Sequence, residues 1–181
     1  MTITTLWLPI LAGTFVTFVA GAVIWMAMPW HKTDFSPTAD EKSVRSALKG
    51  LAPGQYSVPF AVSRNDMASR EMISKFREGP VGFITIVPSG EPAMGGKLLL
   101  NFVYNLIVAV IAAYMVSRTL SSGADYLAVF RIAGTVGFVA YGMAYLQESI
   151  WFGRPWPTTV KSLVDALIYG LLLGGVFGWL T

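Results

Sequence analysis

Polar side chains that could bind a solute or move a proton gather near one end of the apolar segments of this chain. Asn101 and Asn105 are one helical turn apart and would share a helix face. Lys161 and Asp165 have the same spacing, so they can pair on one face of the last helix, as can Asp165 and Tyr169. Glu148 adds a carboxylate near the same predicted membrane boundary. Polar groups in membrane segments often mark a transport pathway, so this polar cluster is a candidate site.

A pathway would need polar groups that continue from the polar cluster toward the middle of the membrane. Beyond Asn105 and Asp165, the interiors of the last three apolar segments offer only Thr135 and tyrosines. We therefore expect the polar cluster to lock the helix ends and the large loop together. A proton or ion pathway is the alternative.

His31 is the only imidazole in the chain, and it follows Trp30 at the end of the first apolar segment. Imidazoles ligate haems in membrane proteins, and pigments are sometimes held at a similar depth. A second axial ligand from this chain would have to be a residue other than His. The favoured interpretation is a polar residue at the membrane interface. No cofactor is predicted, and pigment or haem contact through His31 stays open.

Composition and missing motifs exclude several kinds of chemistry. The chain has no Cys and a single His, which excludes thiolate catalysis, disulfides and multi-histidine metal sites. The run GEPAMGGK at 90–97 lacks the first Gly and the Ser or Thr of a phosphate-binding loop. No G-x-S-x-G or H-E-x-x-H motif occurs. We therefore predict that the protein is not an enzyme, holds no metal and binds neither nucleotide nor nucleic acid.

Four apolar segments must position these side chains. Hydrophobic residues make up 54% of the 181 residues, and charged residues only 13%. Each segment is close to the roughly 20 residues that a helix needs to cross a bilayer. The predicted spans are 6–30, 98–117, 127–147 and 162–180, and the extramembrane segment is 31–97. The predicted fold class is an all-α membrane protein with four transmembrane helices and a small mixed α/β extramembrane segment between helices 1 and 2.

Small residues recur along the predicted spans, on faces that would allow close backbone approach. Helices associate in lipid through such faces, because lipid is as apolar as the side chains. The faces could meet within one four-helix bundle, which is the favoured interpretation, or dock against a helix of another protein. The predicted packing residues are Gly13 and Gly21 in the first span, Ala133, Gly137, Ala140 and Ala144 in the third, and Gly170, Gly174 and Gly178 in the fourth.

The extramembrane segment is predicted to form a very small core. Its predicted elements are helices at 39–49 and 69–78 and strands at 55–62 and 81–87. Thr38 and Glu41 have the spacing of a capping box at the start of the first helix. Pro59 would confine the first strand to a sheet edge. So little apolar area rarely stabilises a fold alone, so we expect support from the membrane or a partner.

Positive charge is concentrated on one side of the predicted spans. The segment 31–97 carries nine Lys or Arg, and the loop before the last span adds Arg154 and Lys161. The other side has only Arg118 and Arg131. Positively charged loops favour the cytoplasmic side, so we expect the large loop in the cytoplasm and both termini in the periplasm.

Several runs of sequence resemble a family of bacterial integral membrane proteins. They are IWMAMPWHK at 24–32, VSRNDMASREMISKFREGP at 62–80, PSGEPAMG at 88–95, GADYLAVFR at 123–131, and SIW followed by TTVKSLVDALIYGLLLGGVFGWL near the end. The resemblance covers most of the chain and implies a bacterial inner membrane and four spans. It implies no activity and no catalytic residues.

Two functions are compatible with these patterns. The favoured one is a non-catalytic accessory or scaffold subunit of a larger bacterial membrane complex, for example a photosynthetic reaction-centre and light-harvesting assembly or a respiratory complex. Its partners would be other integral membrane proteins and lipid. The alternative is a small homo-oligomeric transporter or channel that uses the polar cluster. A water-filled cavity lined by that cluster would favour the transporter, and contact of the last glycine face with a foreign helix would favour the scaffold.

Overall fold

The computed structural model describes residues 1–181 and contains four helical segments long and apolar enough to cross a membrane. In chain order the elements are α1 (Trp7–Ala27), α2 (Glu41–Leu48), β1 (Gly54–Val58), α3 (Arg64–Met67), α4 (Arg70–Glu78), β2 (Gly82–Ile86), α5 (Met94–Thr119), α6 (Tyr126–Gly142), α7 (Ala144–Phe152) and α8 (Trp156–Leu180). The spans are α1, α5, α6 continued by α7, and α8. The expected fold class is confirmed: a four-span helical membrane protein with a small α/β segment between helices 1 and 2.

Prolines set two of the helix ends that matter for the site. Helix α1 ends at Ala27, because Met28 takes the extended conformation preferred before a proline. A short 3-10 turn at Trp30–Thr33 follows directly. Helix α8 begins after Pro155 and carries a proline in its first turn, where the missing N–H would have no intrahelical partner anyway.

Helices α6 and α8 touch along their backbones. A Cβ atom added at Gly170 would lie 2.7 Å from the carbonyl oxygen of Gly134, and one added at Gly174 would lie 2.7 Å from that of Phe130. Both distances are far shorter than ordinary van der Waals contact, so any side chain at these positions would push the helices apart. Glycine at both positions therefore allows the close approach on which helix packing in lipid depends.

The packing face of the third span differs from the predicted one at its end. Ala133 and Gly137 are buried and Ala140 is half-buried, but Ala144 is exposed. Gly142, which the sequence analysis did not select, lies instead against α8, where an added Cβ would stand 2.8 Å from another side-chain carbon. Ala144 belongs to α7, a separate helix, so a spacing extended past the end of α6 does not hold.

The other predicted glycines also face neighbours within the bundle. Gly13 and Gly21 of α1 lie against side chains of α8, and Gly178 of α8 lies against Tyr126 at the start of α6. The glycine face of the last span is therefore covered by this chain's own third span. The apolar core around these helices contains Leu6, Val108, Ala109, Ala112, Ala113, Val116, Val129, Ala133, Leu173 and Phe177.

Residues 35–92, together with 150–153, form a second compact unit. The carboxylate of Asp40 caps α2 by accepting a hydrogen bond from the backbone N–H of Ser43 at 3.0 Å. The predicted capping box is therefore wrong: Asp40 is the N-cap residue, and Glu41 is the first helical residue rather than the third.

A two-stranded antiparallel sheet completes this unit. Strands β1 and β2 pair Gly54 with Ile86 and Val58 with Gly82. Strand β1 stops at Val58, because the proline that follows cannot donate a ladder hydrogen bond. Met72 of α4 is a buried apolar side chain within a unit whose other large apolar side chains are half-buried or exposed, as expected for so short a segment.

Candidate functional site

A cavity of about 370 Å³ lies within the four-span bundle, lined by residues of α1, α5, α6, α7 and α8. Asn101, Asn105 and Asp165 of the predicted polar cluster all contribute to its wall. On α5, four of the five lining positions (94, 98, 101 and 105) recur at intervals of three or four residues, which places them on one helix face. Asp165 is the only Asp, Glu, Lys, Arg or His among the lining residues.

His31 is buried between two carboxylates. Its Nδ1 atom lies 2.6 Å from Oδ2 of Asp34, and its Nε2 atom lies 2.8 Å from Oδ2 of Asp165. The side chains of all three residues are at most 5% exposed. The 3-10 turn after α1 places Asp34 three residues beyond His31, and the Trp25 ring stacks on the imidazole with centroids 4.0 Å apart. Backbone and neighbouring rings thus fix the imidazole between its partners.

Lys161 of α8 is tied to the same turn. Its Nζ atom donates hydrogen bonds to Oδ1 of Asp34 at 2.7 Å, to the Trp30 carbonyl oxygen at 2.6 Å and to Oγ1 of Thr33 at 2.8 Å. These bonds use all three protons of the ammonium group. Helix α8 is therefore joined to the end of α1 by two buried aspartate contacts, one through Lys161 and one through His31.

The buried side chains form a network that can balance its own charge. Each contact between His31 and a carboxylate needs one hydrogen, so two protons are shared among Asp34, His31 and Asp165. With both carboxylates ionised, the imidazole carries both protons. Two anions then face His31 and Lys161 as two cations, which reduces the unfavourable free energy of burying charge.

Asp34 lies outside the spans and is held in its ionised form. Burial raises the pKa of this carboxyl, but the hydrogen bonds from Lys161 and His31 outweigh burial, and the pKa lies below its ordinary value of 3.8. The carboxylate therefore stays charged throughout the neutral range and keeps its hydrogen bonds with Lys161 and His31.

One oxygen of Asp165 has no partner. Oδ2 contacts His31, but Oδ1 is buried and accepts no hydrogen bond from the protein. Leaving such an acceptor unsatisfied costs about 1–3 kcal/mol, so a folded protein rarely keeps one without a role for it. Asp165 is also one of the residues that line the cavity.

A second group of polar side chains reaches the middle of the spans. The hydroxyl of Tyr141 donates to Oδ1 of Asn105 at 2.8 Å and lies 3.5 Å from Oγ1 of Thr17. Thr17 is at the centre of α1, and Asn105 is within two residues of the centre of α5. All three residues line the cavity. The expectation that no polar groups continue toward the midplane is therefore wrong.

Sequence reasoning selected Asn105 but missed the rest of this second group, because neither Thr17 nor Tyr141 was given a polar role. The spacing of residues along α5 does not reveal a polar face, because Leu98 and Asn105 share one face of that helix yet differ in polarity. Only the approach of α6 to α1 and α5 brings the three polar groups together. The available signal was the presence of threonine and tyrosine near the centres of apolar segments.

Other predicted features of the polar cluster need correction. Lys161 does not pair with Asp165. The turn after α1 offers each of them another partner: Lys161 bonds to Asp34, and Asp165 bonds to His31. Glu148 is exposed and does not line the cavity. Both ring nitrogens of His31 contact carboxylates, so neither is free to ligate a haem or pigment.

Arg154, treated in the sequence only as a loop charge, braces the same end of the bundle. Its guanidinium lies 4.3 Å from the centre of the Tyr145 ring, and Nη2 donates to Oγ of Ser162 at 2.9 Å. Tyr145 and Ser162 line the cavity, whereas Arg154 does not. Arg154 thus holds two cavity residues from behind.

No protein-family model, curated protein or solved structure matches this chain. The resemblance to bacterial four-span membrane proteins therefore stays a prediction, and the function has to be argued from the cavity itself.

Proposed function

We propose that this protein binds a small solute in the cavity of its four-span bundle and moves it across the membrane as a homo-oligomer. The observation that carries the proposal is the buried Asp165 carboxylate, whose Oδ1 atom accepts no hydrogen bond from the protein and whose side chain lines the cavity. Binding and release of a solute need no bond to be broken, so the proposed role is not enzymatic.

The mid-span polar group supports the same role. Thr17, Asn105 and Tyr141 extend the polar lining from Asp165 toward the centres of their spans. Polar groups at that depth are unfavourable in lipid unless they are paired or face water or a solute. A cavity of about 370 Å³ is at the lower end of the range for small-molecule sites, about 300–1,000 Å³.

Thiol labelling tests whether water reaches the cavity. The chain contains no Cys, so a single introduced Cys reports only its own surroundings. We expect a membrane-impermeant thiol reagent to label Asn105→Cys in intact membranes, because thiol reactivity needs the thiolate and hence water. The matched control is Phe15→Cys, on the outer face of α1, where the native side chain is 62% exposed and would face lipid. Labelling of neither position, or of both equally, would count against a hydrated cavity.

Flux measurements test transport itself. Proteoliposomes that contain a pH-sensitive dye should show proton or solute movement that wild-type protein supports and Asp165→Asn abolishes. Glu148→Gln is the matched control, because it makes the same chemical change on an exposed carboxylate outside the cavity. Equal flux through wild type and Asp165→Asn would contradict a role of Asp165 in the pathway.

The role of accessory subunit in a larger bacterial membrane complex stays a prediction. Its sequence support was the glycine face of the last span, and that face lies against α6 of the same chain. Gentle solubilisation of native membranes distinguishes the two roles. A homo-oligomer alone supports the transporter, and stable migration with photosynthetic or respiratory subunits supports the accessory role.

We propose the bacterial inner membrane as the location, with the segment between the first two spans in the cytoplasm. The support is the excess of Lys and Arg in that segment. A single Cys at exposed Gly90 should react with an impermeant thiol reagent in inside-out vesicles and not in intact cells stripped of their outer membrane. The opposite pattern would reverse the orientation.

A further inference from the structure

We infer that the solute of this cavity is an organic ammonium ion, held by Asp165 at its charged end and by aromatic rings along its hydrocarbon part. This inference rests on the proposed function, because it names the class of ligand for the same cavity.

The charged end of the ligand follows from the Asp165 carboxylate. An ionised carboxylate only accepts hydrogen bonds, and Oδ1 is buried without a donor. The hydrogen bond that His31 supplies goes to Oδ2. A ligand that offers N–H groups would complete the carboxylate, whereas an anion would be repelled by it. Donor capacity and positive charge together describe an ammonium group.

The hydrocarbon part follows from the rest of the lining. Six aromatic side chains line the cavity: Phe18, Trp25, Tyr104, Tyr141, Tyr145 and Tyr169. Aromatic faces attract cations through their negative electrostatic potential, and they also bury apolar surface. Small-molecule sites characteristically combine such walls with a few placed polar groups.

The tyrosine rings are fixed in position before any ligand enters. The rings of Tyr104 and Tyr141 meet edge to face with centroids 5.6 Å apart, and those of Tyr141 and Tyr169 are 5.2 Å apart. The Tyr104 hydroxyl donates to the Ala140 carbonyl at 2.8 Å, and the Tyr141 hydroxyl is bonded to Asn105. Rings that are already ordered lose little side-chain entropy on binding.

The nearby cations do not favour an anionic ligand instead. Lys161 donates all three of its hydrogen bonds to the turn after α1, and both ring nitrogens of His31 contact carboxylates. Arg154 stacks on Tyr145 and bonds to Ser162 without lining the cavity. Asp165 is therefore the only Asp, Glu, Lys, Arg or His side chain that lines the cavity, and the hydrogen bond from His31 reaches its Oδ2 atom and not Oδ1.

An ammonium group can come from a free amine or from the headgroup of phosphatidylethanolamine. Both share the N–H donors and the positive charge that the site requires. A membrane protein meets both, so the experiment must separate them.

Calorimetric titration of the full-length protein in detergent tests the ligand class. The probes are benzylamine, which is cationic at neutral pH, and benzyl alcohol, a neutral molecule of nearly the same shape. We expect wild-type protein to bind benzylamine at least about tenfold more tightly, a difference of about 1.4 kcal/mol. Asp165→Asn should remove this preference, and Glu148→Gln should keep it.

A second pair of variants covers the case in which Asp165→Asn fails to fold. Tyr104 is 42% exposed, so its replacement disturbs the bundle less than a buried change would. We expect Tyr104→Leu to weaken benzylamine binding by about three- to tenfold through loss of the ring face, and Tyr104→Phe to keep it. Equal loss in both variants would overturn the role of the ring.

The outcomes separate this inference from the proposed function. Equal binding of benzyl alcohol and benzylamine would overturn the ammonium ligand but leave solute binding in place. Binding of neither probe, with Asn105→Cys unlabelled, would overturn both. In nanodiscs, weaker benzylamine binding with phosphatidylethanolamine than with phosphatidylcholine, which is also zwitterionic but has no N–H donor, supports the headgroup as the source, and equal binding supports a free amine.

Discussion

The two halves of α8 pack in opposite ways. In its second half, Gly170 and Gly174 bring the backbone against that of α6, with no room for a single added carbon atom. In its first half, Ser162 and Asp165 line a cavity of about 370 Å³, and Lys161 reaches the turn after α1. At Gly170 and Gly174 the second half touches α6 through backbone atoms, whereas the first half reaches the turn after α1 through side chains.

If the proposed function holds, one helix serves as both a fixed support and a binding surface. Backbone contact through glycines gives a rigid joint, because neither partner has rotamers to change. The polar half is held in addition by directed hydrogen bonds, such as those from Lys161 to the turn after α1. We therefore expect substitutions in the polar half to affect both stability and binding, and those in the glycine half to affect stability alone.

The largest expected effect comes from His31→Phe in the polar half. Phe keeps a ring for Trp25 to stack on but leaves Asp34 and Asp165 without the imidazole hydrogens. Removing one partner of a buried ion pair costs about 3–5 kcal/mol. Thermal unfolding in detergent measures the loss.

A double variant checks the cause of that loss. Adding Asp165→Leu to His31→Phe removes the stranded carboxylate, so stability should partly recover. Losses that simply add would indicate that the ring's shape, rather than its hydrogen bonds, supports the fold.

The next effect comes from Gly174→Ala in the glycine half. The new Cβ would lie 2.7 Å from the Phe130 carbonyl oxygen, which belongs to backbone and cannot rotate away. Overpacking of this kind costs about 1–3 kcal/mol. Solute binding at the cavity should be unchanged in the protein that still folds.

Gly96→Ala is the matched control for that change. It makes the same substitution within a helix, but nothing lies within 4 Å of the added Cβ. Ala is favoured over Gly in helices by about 0.8–1.0 kcal/mol, so Gly96→Ala should be neutral or slightly stabilising. Equal behaviour of the two variants would show that α6 and α8 do not need backbone contact.

A smaller effect is expected from Lys161→Met, compared with Lys75→Met in α4. Both lysines contact a carboxylate at 2.7 Å, Lys161 with Asp34 and Lys75 with Glu71. The Asp34 side chain is 2% exposed, whereas that of Glu71 is 79% exposed. Lys161→Met should lower stability by about 1–2 kcal/mol, because the buried carboxylate loses a charged donor. Lys75→Met should leave the unfolding midpoint unchanged, and similar losses in both would show that burial does not govern these pairs.

The smallest expected effect is the loss of folding stability at acid pH. The pKa of Asp34 is lowered in the folded protein, so the unfolded chain binds more protons in the window below 3.8. The stabilisation from ionised Asp34 is therefore complete above its unfolded pKa and is lost as pH falls through the lower folded pKa. The unfolding midpoint of wild type should drop in this window more than that of Asp34→Asn, and parallel curves would contradict the role of Asp34.

Periodicity and segment length were enough to predict the four spans, because a bilayer imposes the same length and apolarity on every crossing helix. The glycine spacing on α8 was visible as well, since one face of one helix is a local pattern. The small-residue face of the third span, which packs against α8, was predicted less well. Ala144 lies on α7, beyond the break after Gly142, and a break in a helix leaves little trace in an apolar sequence.

The candidate site could be predicted only in part. Asn101, Asn105 and Asp165 were selected because polar groups in apolar segments are conspicuous. Lys161 and Asp165 could pair by their spacing but do not, because local spacing cannot show that the turn after α1 brings Asp34 and His31 to the same place. The contact between His31 and Asp165 joins residues 134 positions apart in sequence.

The sequence by itself determined that this chain has four apolar helices, a small polar segment and a few polar residues that the spans must accommodate. Local composition controls these properties, since transfer of each segment into lipid depends on its own side chains. Only the tertiary structure decided which polar groups meet, which glycines touch backbone and where a cavity remains. Those outcomes depend on distances between helices, and such distances arise from packing all four spans at once.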